Sequence, residues 1–301
     1  RLMIDLAIDL FTKVPRNIKK ILHLKYKILG SPLIIMNDAP MFKMPTIDLS
    51  AKSLLMLSQL GFFVCFTYWF SQGAESNSDY VAPAVFAVSG LALFLSVPNS
   101  RMGVTLGIPA LMAVMALVTG NNGDIVFAVF FLLMFGPITY MPALASGDST
   151  LDLDDGDRTM RLGIVWLVFT LLMLLMMSWL VQAAMDGEWT EEYFDGDKYD
   201  MSIDSTQQTI AQVGLAVGVI GVLVFILTAI MGTELGPMLP WHGGAMAAGA
   251  LLIGQYLWLV ADGGPDYNLP SEVIFILSLV GLVALPTCIA YEGSTDSSES
   301  E

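Results

Sequence analysis

Eight stretches of this 301-residue chain, at 53–71, 81–97, 103–119, 125–145, 162–184, 209–231, 242–261 and 272–291, contain no Asp, Glu, Lys or Arg except Glu272 at one end. They are 17 to 23 residues long. At about 1.5 Å per residue, helices of that length reach about 26–35 Å, which matches a hydrocarbon core about 30 Å thick. In such a core every backbone N–H and C=O must be paired within its own segment, so these spans are expected to be helices. The runs are too uniformly apolar for the alternating pattern of an outer-membrane strand. They also leave a soluble bundle no solvent face. The fold class this predicts is all-α: a polytopic integral membrane bundle of eight transmembrane helices occupying 53–291.

The cations set the orientation. If residue 1 is cytoplasmic, eight crossings keep both termini inside. Arg1, Lys13, Arg16, Lys19, Lys20, Lys25, Lys27, Lys43, Lys52, Arg101, Arg158 and Arg161 are then all cytoplasmic, and only Lys198 lies outside. That is the positive-inside bias of a multi-pass protein of the plasma membrane. The formal net charge is −15, and most of the acidic excess falls on the outer loops 72–80, 120–124, 185–208 and 262–271. Such a surface attracts cations, or reflects an acidic proteome. No basic face is large enough for nucleic acid.

Residues 1–52 read as a cytoplasmic segment and linker. Ile18, Ile21, Leu22 and Leu29 form an apolar stripe beside Lys19, Lys20, His23 and Lys27. This pattern suits a helix over 16–29 lying on the anionic inner leaflet of the bilayer. Arg1 stands where an initiator Met is expected, which raises the expectation that a cytoplasmic portion precedes it. Residues 292–301 read as a disordered acidic tail. Trp69, Trp179, Trp189, Trp241, Tyr80 and Tyr291 fall near span ends, where interfacial aromatics sit. Spans 4 and 8 both carry Pro toward the cytoplasmic end, Pro137 and Pro142 in one and Pro286 in the other. Matching breaks of this kind fit two parallel four-helix halves, 1–4 and 5–8.

Small residues four apart let helix backbones approach closely. Gly214, Gly218 and Gly221 in span 6, and Ala245, Gly249 and Gly254 in span 7 with Ala250, predict that these two spans pack tightly on each other or on a membrane protein partner.

Chemistry is harder to find. Charged residues at membrane depth mark proton relays and ion paths, and the spans have none. With no intramembrane Lys, a retinal Schiff base is excluded. His23 and His242 supply neither paired haem ligands nor, with Glu234, a zinc site. No cofactor is expected. Asp195, Asp197, Asp200 and Asp204 in the outer loop are candidate cation ligands, although Tyr199 and Asp200 break the EF-hand spacing. The inner loop Asp152-Leu153-Asp154-Asp155-Gly156-Asp157-Arg158-Thr159-Met160-Arg161 resembles the start of the CDP-alcohol phosphotransferase signature, whose aspartates hold metal ions against a diphosphate. It departs where Thr159-Met160 replaces Ala-Arg, and the stretch 162–184 has no acid. A metal-dependent membrane transferase using 152–157 is therefore the remotest of three readings.

The preferred expectation is a non-catalytic membrane anchor, scaffold or assembly subunit. The alternative is a permease for a neutral or weakly polar small solute. A polar central cavity bounded by Gln59, Gln212 and Gln255 favours the permease, and a solid centre favours the scaffold.

Overall fold

A computed structural model describes residues 45–72, 74, 80–119, 122–192, 197–264 and 269–292. The helix expected at 16–29 and the tail at 293–301 lie outside them. Nine helices, a short 3-10 turn at Ser149–Leu151 and one hairpin are found among the described residues. Helix α1 is Ala51–Gln72 and α2 is Val81–Phe94. Helix α3 joins Ser100–Met102, a π-helical turn at Gly103–Gly107, and Ile108–Thr119. Helix α4 is Asn122–Ala145, α5 is Asp155–Met176 and α6 is Trp179–Asp186. Helix α7 is Ser205–Phe225, prolonged by a π-helical turn at Ile226–Ile230. Helix α8 is Pro240–Val260, and α9 is Leu269–Thr287, prolonged by Cys288–Glu292.

Six of these helices are long and apolar enough to cross a membrane: Ala51–Gln72, Ala128–Ala145, Asp155–Met176, Ser205–Ile230, Pro240–Val260 and Pro270–Tyr291. The other two apolar segments, Val81–Phe94 and Ser100–Val114, are shorter, so the expected eight full-length spans become six plus two. The reason is local for α2. Ser96 takes a left-handed backbone at φ 51°. Its N–H donates to the Leu93 carbonyl, and that of Val97 donates to Ala92. This is a Schellman stop with Ser in the usual Gly position. It ends the helix three residues before 97.

The apolar residues point both inward and outward. Trp166, Phe62, Phe135, Phe169 and Phe225 are buried, while Leu91, Leu117, Leu175 and Leu277 are exposed. In water that surface would aggregate; against lipid tails it is the solvated surface.

Helix α1 packs on α2 and α9, whereas α5 packs on α4 and α6 packs on α7. Helix α3 packs on α4 as α8 packs on α9. Taken as the two sequence halves α1–α4 and α5–α9, they differ in the α7–α8 pair, which makes the most extensive contact of all.

That contact is built on glycine. A Cβ added at Gly221 would lie 2.7 Å from the Ala247 nitrogen and 2.8 Å from the Gly243 oxygen. One at Gly218 would lie 2.9 Å from the Ala250 Cβ, and one at Gly214 would lie 2.7 Å from Ile253 Cγ2. The α8 face of the seam is therefore Gly243, Ala247 and Ala250. Ala245 is exposed, and Gly249 has open space above it. The Ala245-x-x-x-Gly249 pair thus lies off the seam. Gly254 faces elsewhere, receiving the Met177 side chain where α5 breaks before α6.

The segment read as an outer loop over 185–208 contains an antiparallel hairpin, β1 at Glu188–Glu192 and β2 at Lys198–Ser202. Trp189 pairs with Met201, both buried, and the Trp189 ring stacks on Trp179. Glu191 shares that inward face, and burial pushes its carboxyl above the usual range.

Gly221→Leu and Gly218→Leu are expected to lower the melting temperature in detergent, Gly221→Leu the more, since overpacking costs about 1–3 kcal/mol and backbone yields less than a methyl. Gly249→Leu is expected to melt like the parent. Equal effects at all three positions would contradict this seam.

Candidate functional site

Arg101 and Arg158, two of the cations anticipated on one side, both bind the turn that ends α4. Arg101 pairs with the Asp148 carboxylate and donates to the Thr150 hydroxyl at 3.0 Å. This ties the first turn of α3 to the turn after α4. Burial pushes the Asp148 carboxyl up, but hydrogen bonds from the Thr150 N–H and hydroxyl, together with Arg101, outweigh it and hold the group below the usual carboxylate range. Helix α4 ends on Gly147 at φ 64°, and Asp148 N–H donates to Ala143 in a second Schellman stop. The last carbonyls of α4, Leu144 and Ala145, accept from Arg158 Nη1 at 3.0 and 3.4 Å. A cation is favoured at that helix end by its dipole. Tyr291 donates to the Thr159 carbonyl at 3.1 Å.

These contacts frame a polar vestibule of about 630 Å³ that opens at this end. Its rim carries Asp48, Lys52, Arg101 and Asp148, and its walls are α1, the end of α2 and the end of α4. Gln59 and Thr139 line its deepest part. Each has a physical reason to be there. Pro142 has no N–H, so the carbonyl four residues earlier, Ile138, loses its helical donor. Gln59 Nε2 supplies one at 2.8 Å, and the side chain is only 6% exposed. The amide therefore repairs a Pro break at membrane depth, as Pro in a transmembrane helix requires. Beside it, the hydroxyls of Thr139 and Thr105 lie 2.6 Å apart. Thr105 sits in the π-helical turn of α3, an irregularity common at functional sites.

One turn further in, the path is closed. Phe63 follows Gln59 along α1, and Phe135 precedes Thr139 along α4; their rings stack at 5.7 Å. Phe86 and Phe131 extend the aromatic layer, with Phe66 stacked on Phe86 at 5.5 Å and Phe131 on Phe135 at 5.1 Å.

In the second half Pro286 of α9 frees the Leu282 carbonyl, one residue before the Val283 carbonyl to which Trp166, fully buried in α5, donates its indole N–H at 2.7 Å. Its ring packs on Phe225. A more open recess of about 620 Å³ in this half is lined by Ala184, Gln212 and Ile220, so Gln59 and Gln212 line separate cavities and Gln255 lines neither. Gln212 and Gln208 cap the end of α6, donating to the Ala184 carbonyl at 2.9 and to Met185 at 2.9 Å respectively. Gln255 is half-buried on α8.

Several of the other sequence candidates are engaged in local structure. Asp204 accepts from Thr206 and Gln207 as the N-cap of α7, and Asp200 accepts from the Thr190 hydroxyl. Asp197 adjoins β2, and Asp195 is outside the described residues. In the 152–157 loop, Asp154 is the N-cap of α5 and Asp155 pairs with Arg158. Among the described residues no three of His, Cys, Asp and Glu are grouped to hold a metal ion. His242 Nδ1 accepts the Leu239 N–H at 2.8 Å, closing the start of α8. The chain matches no protein-family model, no curated protein and no solved structure.

The Gln59 role is measurable by a double-mutant cycle. Gln59→Leu strands the Ile138 carbonyl and is expected to cost about 1–3 kcal/mol of stability in detergent. Pro142→Ala restores a backbone donor, so Gln59→Leu should cost markedly less in that background. Equal costs in both backgrounds would show that Gln59 does not serve this carbonyl.

Proposed function

We propose that this chain is a multi-pass protein of the plasma membrane, crossing eight times with both termini cytoplasmic, and that it is a permease for a neutral or weakly polar small solute. Orientation is supported by Lys52, Arg101 and Arg158 at one end of the bundle and Lys198 on the hairpin at the other. The observation that carries the permease reading is the vestibule. It runs from a charged rim to an uncharged floor of Gln59 and Thr139, and stops on stacked phenylalanines. A polar approach, a neutral mid-depth station and a movable apolar closure are the parts that alternating access uses. The absence of charge at depth favours neutral cargo without proton coupling.

A second reading, a non-catalytic anchor, scaffold or assembly subunit, is favoured by the packing of the other half. There Trp166, Phe169 and Phe225 fill the centre. In that reading the vestibule is a surface recess.

The test uses purified full-length protein in liposomes. Urea and glycerol fluxes are measured by stopped-flow light scattering. At least one is expected to rise several-fold over protein-free liposomes, and Met56→Trp, which fills the vestibule wall, is expected to return it to baseline. Equal fluxes with and without protein would favour the scaffold.

A further inference from the structure

We infer that the vestibule is a binding site for an uncharged linear polyol, held along α1 between Lys52 at the rim and Gln59 at the floor. This deepens the permease reading and rests on it for how the solute crosses.

The wall of α1 makes the argument. Lys52, Met56 and Gln59 stand four and three residues apart, so they form one stripe down the helix. All three line the vestibule. Lys52 and Gln59 are separated by about 10.5 Å along the axis, at about 1.5 Å per residue. Ser53 lines the same wall, one residue further round.

Each polar group on this wall has bonding capacity left over. Gln59 is buried and commits its amide nitrogen to Ile138; its Oε1 accepts from no donor among the described residues. Ser53, also buried, accepts from the Asp48 N–H, and its own O–H finds no acceptor among the described residues. Asp48 takes both Ser50 donors on Oδ1, which leaves Oδ2 open. Lys52 is exposed and makes no ion pair among the described residues. From rim to floor the wall therefore offers an ammonium donor, a carboxylate acceptor, a hydroxyl donor and an amide acceptor.

A solute that satisfies this sequence must donate and accept by turns. A hydroxyl does both, whereas an ether oxygen only accepts and an ammonium only donates. Stations spread over about 10.5 Å call for several hydroxyls on one chain, and urea is too short to reach both ends. Met56, between the polar stations, meets the C–H surface of such a chain. Charge points the same way. At the rim Lys52 and Arg101 are matched by Asp48 and Asp148, so neither sign of ion is favoured. No ionised side chain lies at the floor, where an ion would lose its hydration without gaining a partner.

The test reads binding and is independent of flux. Full-length protein, with Cys65 and Cys288 replaced by Ala, is placed in nanodiscs of phosphatidylcholine, whose headgroup has no O–H to compete. Met56→Cys puts a thiol between Lys52 and Gln59. Its rate of modification by a methanethiosulfonate reagent is measured with xylitol or with diethylene glycol dimethyl ether, a chain of comparable length whose oxygens accept but cannot donate. Xylitol is expected to slow modification several-fold and saturably, and the ether is not. Gln59→Met is expected to weaken the xylitol effect several-fold, with Ser53→Ala as the second variant if Gln59→Met does not fold. Ser146→Cys, on the α4 wall, is the second reporter if Met56→Cys does not fold. Equal protection by both compounds, protection by neither, or xylitol protection that survives these wall variants unchanged overturns the inference. Urea or glycerol flux without xylitol protection removes this site and leaves the permease. Xylitol protection without flux keeps the site and removes the permease.

Discussion

A carbonyl left without a donor inside hydrocarbon costs several kcal/mol, and that penalty organises this bundle. Pro142 creates one such carbonyl at Ile138, and α1 answers with Gln59. The contact fixes α1 against α4 at mid-depth. It also fixes where the polar vestibule ends, because Gln59 and Thr139 are the last polar side chains before the phenylalanine layer. Elsewhere the same demand is met by Arg158 at the end of α4, by Gln208 and Gln212 at the end of α6, and by the two Schellman stops.

The two halves are packed differently. Trp166 closes the second half, and the glycine seam of α7 against α8 draws two backbones within a few ångströms of each other. The first half pairs a smaller donor with a π-helical turn in α3 and helix stops at Ser96 and Gly147. Some of this irregular backbone borders the vestibule, where a membrane protein tolerates it, and further π-helical turns end α7 and α9.

The membrane-helix character was legible because charge-free runs near twenty residues long have few other uses. What lay within them was less so. The stop after α2 rests on Ser96 in a left-handed backbone, and Ser carries no such signal the way Gly does. The break between α5 and α6 falls between apolar residues on both sides, where Met177 enters the space over Gly254. Small residues crowd α8 at 243–250, so four-residue spacing fits several faces at once. Only packing distinguishes Gly243, Ala247 and Ala250 from Ala245 and Gly249. The hairpin had a readable alternation in Trp189, Glu191, Tyr199 and Met201, hidden among acids that suggested cation ligands. The Gln59 partnership follows from Pro142 once the two helices are known to touch, but sequence does not say which polar side chain reaches Ile138.

The central claim is that α1 crosses a bilayer with one face on a water-filled vestibule and another on lipid. Site-directed spin labels at Met56→Cys, on the vestibule, and at Val64→Cys, exposed two turns further along the same helix, test it directly in liposomes. The account predicts that the label at 56 is relaxed mainly by a water-soluble nickel chelate and the label at 64 mainly by oxygen dissolved in the bilayer. Preference for oxygen at both positions would remove the vestibule, and preference for nickel at both would remove the membrane span.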